Sequence, residues 1–199
     1  MPEPKALFFT GKRPKDLVGY DPKGYGALIQ YLAYYLDTLV PEYGRFISGG
    51  AQGFDQLAFK AVDSLKIRHA GMPYKISNEL VLPFPGQEDL WGETGLFSKT
   101  DYRAMLRDAD RIDYTVPAKP ADRWAIAKAL TDRNTDMLSR ASMCIGIWPE
   151  GQPSWQNSAM KGGTADALRK ADRAGIAMRV IKYRIESGEV RPVRVEHIR

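Results

Sequence analysis

Arg45-Phe46-Ile47-Ser48-Gly49-Gly50-Ala51-Gln52-Gly53-Phe54-Asp55 decides the fold: an apolar run ends in glycine and passes straight into a helical pattern. That helix carries Leu57, Ala58, Ala61, Val62 and Leu65 on one face, the spacing of an amphipathic helix. Upstream, Ala6-Leu7-Phe8-Phe9 is a short buried strand closed by Thr10-Gly11. Tyr25 to Leu39 is a helix with Leu28, Leu32, Tyr35, Leu36 and Leu39 on one stripe, and Pro41 and Gly44 stop it. Downstream, Glu79-Leu80-Val81-Leu82 is a third strand ended by Pro83-Phe84-Pro85-Gly86. Lys99 to Asp108 is a helix, Arg111 to Tyr114 an extended segment, and Trp124 to Arg140 a longer helix. Met143 to Trp148 is the next strand, and a loop from Pro149 to Lys161 leads into a helix from Gly162 to Ala174, with Gly175 at its C-cap. Ala177 to Tyr183 is the final strand, and 184–199 a basic, frayed segment. Strands and helices alternate, and the strands are too continuously apolar for a one-sided sheet. The expectation is one doubly wound, Rossmann-like α/β domain over 1–199, its sheet mostly parallel with helices on both faces.

With 199 residues, 44% hydrophobic and 27% charged, the chain is an ordinary globular one, too balanced for intrinsic disorder. No stretch approaches the ~20 apolar residues that span a bilayer. Met1-Pro2-Glu3-Pro4-Lys5 lacks the apolar core of a secretory signal. One cysteine, Cys144, excludes an internal disulfide, and with only His69 and His197 beside it a Cys/His zinc site is excluded too. These features point to the cytoplasm, with no membrane partner and no metal. The net charge of +5 is unevenly placed: residues 1–168 hold 20 basic and 20 acidic residues, 169–199 nine and four. A nucleic-acid surface would be denser and joined to stacking aromatics, so a solvated basic edge is favoured.

In a doubly wound sheet, ligands bind beyond the carboxyl ends of the strands. Three turns there carry chemistry. Thr10-Gly11-Lys12-Arg13-Pro14 follows the first strand and sets two cations where an anion would be met, or is a solvated loop. Ser48-Gly49-Gly50-Ala51-Gln52-Gly53-Phe54-Asp55 can turn amides toward a phosphate at a helix N-terminus. It is not a dinucleotide fingerprint, because no G-x-G-x-x-G is present. Asp55 is also placed for capping or for the helix dipole. Lys161-Gly162-Gly163-Thr164-Ala165-Asp166 offers amides and a hydroxyl at another helix start, with Thr164 as an N-cap the plainer alternative. Together they outline a pocket for a phosphorylated, nucleotide-like ligand.

Ser48-Gly49-x-Ala51-x-Gly53-x-Asp55 resembles the signature of the DprA branch of the SLOG superfamily, Rossmann-like proteins that include the LOG cytokinin-activating enzymes. Thr10-Gly11-x-Arg13-Pro14, Arg133-Asn134 with Met137, and Gly162-Gly163-Thr164 resemble its YpsA-like branch, in matching order from about Leu7 to Ile181. Such domains occur in bacteria and their phages. The resemblance implies a nucleotide or nucleotide-derived ligand, with no cofactor required. Two departures stand out. Lys12 sits where relatives commonly have histidine, keeping a cation but no proton shuttle near neutral pH. The glutamate of the LOG motif G-G-x-G-T-x-x-E falls on Ala167 or Arg169, depending on register, with Asp166 a weak substitute.

The ligand is therefore expected among Gly11, Ser48, Gly49, Gly50, Gly162, Gly163 and Thr164, with charge from Lys12 and Arg13. Arg133 and Asn134 would brace or contact it. Phe84, Trp91, Tyr102 and Trp148 can stack on a base or pack in the core. Glu88, Asp89 and Glu93 follow the third strand, as a solvated loop or as acids facing the crevice. Cys144 is a small buried residue. A nucleoside-monophosphate glycosidase using Asp55 or Asp166, and a DprA-like binder of single-stranded DNA, are the alternative functions. A homodimer or higher homo-oligomer is expected, and Tyr31, Tyr34 and Tyr35 can furnish its interface or belong to the core.

Overall fold

The computed structural model describes residues 4–92 and 96–199. The expectation for Glu93 therefore lies outside the described residues, as does that for Met1 to Glu3. Seven strands form one sheet: β1 (Lys5–Thr10), β2 (Tyr43–Ser48), β3 (Ser77–Leu82), β4 (Arg111–Tyr114), β5 (Met143–Pro149), β6 (Ala177–Glu186) and β7 (Glu189–Ile198). Their spatial order is β4-β3-β2-β1-β5-β6-β7, and every neighbour pair is parallel except β6 with β7. Five α-helices connect them: α1 (Gly26–Asp37), α2 (Phe54–Arg68), α3 (Lys99–Asp108), α4 (Arg123–Arg140) and α5 (Gly163–Arg173). The architecture is Rossmann-like α/β.

Alternation along each strand assigns the helices to faces. In β1, Leu7 and Phe9 pack with Leu28 and Leu32 of α1 and Leu57 and Val62 of α2. Phe8 points the other way, toward Met137 of α4 and Ala165 and Leu168 of α5. β3 divides likewise: Leu80 and Leu82 meet Phe59, Tyr102 and Met105, whereas Val81 joins the α4–α5 side. Burial on both faces favours apolar residues at successive positions of a central strand, which explains the unbroken runs. Cys144 is fully buried in the α4–α5 layer, and burial pushes its thiol well above the usual range. Tyr31 and Tyr35 stack on each other against the α1 side of the core, and Tyr34 is exposed. Among the described residues, no helix is long and apolar enough to cross a membrane.

The end of the chain departs from expectation. β6 does not stop at Tyr183, and the residues beyond it are not frayed: Ser187 and Gly188, at φ 51° and 78°, turn the chain back as β7. Positive φ at both central residues matches the right-handed twist of a two-residue hairpin. Val190 is fully buried beside Tyr183 and Ile181, and the hairpin packs on α1. The basic residues here are tied to acids, Arg184 and Arg194 to Glu150, Lys182 to Glu196 and Arg191 to Glu189. Deleting residues 188–199 is expected to lower stability by ~3 kcal/mol or more in a urea titration, since it uncovers core side chains. An unchanged midpoint would mean that the segment is dispensable.

Candidate functional site

β1 and β5 lie side by side where the strand order reverses, and the helices that follow them leave to opposite faces. That divergence opens a crevice beyond their carboxyl ends. A cavity of about 240 Å³ fills it. Thr10, Gly11, Lys12 and Arg13 form one wall and Lys161, Gly162, Gly163 and Thr164 another. Ala51 and Asp55 at the start of α2, Arg133 from α4, and Lys15 and Asp16 at the mouth complete it.

The turn after β1 is gripped from both sides. The Phe54 amide, first in α2, donates to the Lys12 carbonyl at 3.2 Å. The Thr164 hydroxyl, in the first turn of α5, donates to the Gly11 carbonyl at 2.6 Å. Thr164 is thus a stitch between turns and not an N-cap; the N-cap of α5 is Gly162, with no side-chain cap hydrogen bond. Its first amides lack intrahelical partners and the helix dipole adds positive potential there. A Cβ built on Gly163 meets nothing within 4 Å, so the space over this helix end is open.

The second glycine turn behaves differently. The Gly50 amide donates to the Ser48 hydroxyl at 3.2 Å and the Ala51 amide to Asp55 Oδ2 at 3.3 Å, so both are already occupied. Gly50 (φ 66°) does not line the cavity; a Cβ there would lie 2.7 Å from Leu82 Cδ2 on the β3 side. Gly53 (φ 96°) admits the first turn, its Cβ position falling 2.4 Å from the Lys12 carbonyl. Gly49 lies flat under the Arg133 guanidinium. Ser48, Gly49, Gly50 and Gly53 therefore support the wall, and only Ala51 and Asp55 of this turn reach the cavity. Glycine density announced packing here, and open amides only at α5.

Arg133 is the group the sequence pattern understated. It is 8% exposed, with Nη1 donating to the Gly49 carbonyl at 2.8 Å and Nη2 to Asn134 Oδ1 at 3.1 Å. Its Nε is buried without a partner. Asn134 braces it and does not itself line the cavity. Asp55 is buried as well, and burial pushes its carboxyl above the usual carboxylate range against the pull of Arg133, Arg13 and the Ala51 amide. Five basic and two acidic residues line the cavity, so its potential is positive.

Other expected contacts lie elsewhere. Trp148 is fully buried, its indole donates to the Pro153 carbonyl at 3.2 Å, and Lys12 Nζ sits 3.9 Å above its ring. Burial also lowers the hold of Lys12 on its proton. Phe84 is fully buried and outside the lining. Asp166 pairs with Lys170 at 3.0 Å on the α5 surface. Arg169 turns into the preceding loop, donating to the carbonyls of Trp155 and Met160. Glu88 and Asp89 lie near Arg103 and Lys119, away from the cavity. Among the described residues, no cluster of His, Cys, Asp and Glu could hold a metal.

The fold and its crevice define a Rossmann-like protein with a basic cavity at the topological switch point. Residues 7–184 match the YspA SLOG family model, YpsA, and the chain belongs to that family. Over 120 residues it is 30% identical to the "Uncharacterized SPbeta prophage-derived protein YoqJ" of Bacillus subtilis (strain 168). That alignment covers 57% of this chain and 66% of the relative, just under two thirds of its length.

Two outcomes test the geometry. Gly50→Ala should cost ~1–3 kcal/mol in chemical denaturation, through left-handed strain and the Leu82 contact, whereas Gly163→Ala should leave stability nearly unchanged. For Asp55 the folded value lies above the unfolded 3.8, so its ionisation penalises folding. That penalty is absent at pH values below 3.8 and grows as pH rises toward the folded value. The stability of Asp55→Asn relative to wild type should therefore increase with pH in urea titrations. A relative stability that declines instead would mean that Arg133 and Arg13 outweigh burial.

Proposed function

We propose that this chain binds the sugar-phosphate end of a nucleotide or nucleotide-derived ligand in the cavity at the β1–β5 switch point. One observation carries the proposal: the uncapped start of α5 and the buried Arg133 side chain line the same positive cavity, and Arg133 Nε has no partner among the described residues. Helix amides and guanidinium groups both match the oxygens of a phosphate, and the protein satisfies Arg133 only in part, through Nη1 and Nη2. Membership of the SLOG family supports a nucleotide over other anions. No cofactor enters this reading.

Turnover has one point in its favour, since Asp55 lines the cavity with a raised proton affinity, as a general acid requires. Against it, Asp55 already accepts the Ala51 amide, and the two registers of the LOG glutamate fall on Ala167, which has no carboxylate, or Arg169, which is turned into a loop. DNA binding is less well supported still, because much of the C-terminal basic excess is paired with Glu150, Glu189 and Glu196.

The test is thermal unfolding with a nucleotide panel, followed by mass spectrometry of the recovered ligand. A rise in midpoint with the ligand unchanged is expected, and Gly163→Val and Arg133→Gln should each reduce affinity by roughly 10-fold or more. Free base among the products, lost in Asp55→Asn, would establish the glycosidase instead. A rise produced by no nucleotide or pyrophosphate would remove the proposal.

A further inference from the structure

The inner cavity is too small for a whole nucleotide. At about 240 Å³ it falls short of the ~300–1,000 Å³ usual for cofactor-sized ligands. A second, more open cleft of about 440 Å³ adjoins it. The two are neighbours across Arg13 and Lys15, which line both. Beyond that pair of cations the outer cleft changes character: Tyr20, Leu90 and Trp91 supply apolar and aromatic surface, and Gln52 a polar edge. Tyr20 and Leu90 are 37% and 45% exposed, a hydrophobic surface facing solvent beside a charged one. Trp91 is held edge-on to Tyr102, with ring centroids 5.0 Å apart, so its ring is positioned before any ligand arrives.

We propose that the ligand is a nucleoside diphosphate or a diphosphate-linked nucleotide that occupies both compartments. This rests on the proposed function, and assigns the parts of the ligand. One phosphate sits at the α5 end beside Arg133. The second lies on the ridge of Arg13 and Lys15. The base lies in the outer cleft against Trp91, where a planar ring finds an aromatic partner. Cations that line the inner cavity and continue into the outer cleft at Arg13 and Lys15 suit more than one phosphate.

Isothermal titration calorimetry of the full chain with ADP, GDP, UDP, AMP and inorganic pyrophosphate tests this. At least one nucleoside diphosphate should bind about 10-fold tighter than both pyrophosphate and AMP. Trp91→Leu should weaken that nucleotide by about 5- to 100-fold, the loss of one base–aromatic stack, while pyrophosphate stays within about two-fold. Because Trp91 also packs on Tyr102, Tyr20→Ala provides a second variant on the exposed side of the cleft, with the same expected selectivity. Pyrophosphate binding as tightly as every nucleoside diphosphate, or both variants leaving the nucleotide unaffected, overturns the base assignment and leaves the inner site standing. AMP equal to the diphosphates overturns the second phosphate. Binding of neither pyrophosphate nor any nucleotide removes the inner site itself.

Discussion

The Gly11–Lys12 turn, held between two helix starts, is the constraint on which the site depends. β1 ends in the centre of the sheet, and its chain must leave between α2 and α5, which diverge to opposite faces. The Phe54 amide and the Thr164 hydroxyl each take one carbonyl of that turn. A turn held by two neighbouring carbonyls has little freedom, so Lys12 and Arg13 project from a fixed base. It also sets the distance between the two helices, and with it the width of the cavity. Gly53 and Gly11 are there because this three-way contact leaves no room for a side chain, against Lys12 in one case and Phe54 in the other.

Polarity around the cavity is divided between used and unused groups. The second glycine turn satisfies itself through Ser48 and Asp55, which makes it a rigid wall with little left to offer an anion. The α5 start does the reverse, giving its hydroxyl to the neighbouring turn and leaving its amides uncapped. Two loops of similar composition thus take opposite roles. What separates them is whether a carboxylate two residues into the helix folds back onto the turn, as Asp55 does.

That division was not legible in the sequence. The parallel sheet, the helices on both faces and the site's position beyond the strand ends followed from unbroken apolar runs joined by glycine. The destination of each glycine did not, because it depends on tertiary neighbours: Leu82 for Gly50, Arg133 for Gly49, open space for Gly163. Arg133 looked like a secondary brace because nothing in a helical pattern reveals that a guanidinium is sealed beneath a turn 84 residues away in the chain. Trp148 suggested a stacking platform by ending a strand, yet Lys12 covers its face. The terminal hairpin was missed for a local reason. Ser187-Gly188 is a weaker turn signal than Asn-Gly, and charged residues at alternate positions of an outer strand resemble a solvated tail.

The last strand has a consequence for assembly. β7 leaves an open border of main-chain groups, the kind of border along which sheets from different molecules join. Pro192 lies within it and has no N–H to contribute, and Arg191 and Arg194 crowd the same rim. A neighbour arriving strand-first would meet a missing donor and a row of charges. The sheet is thereby discouraged from growing past its seventh member.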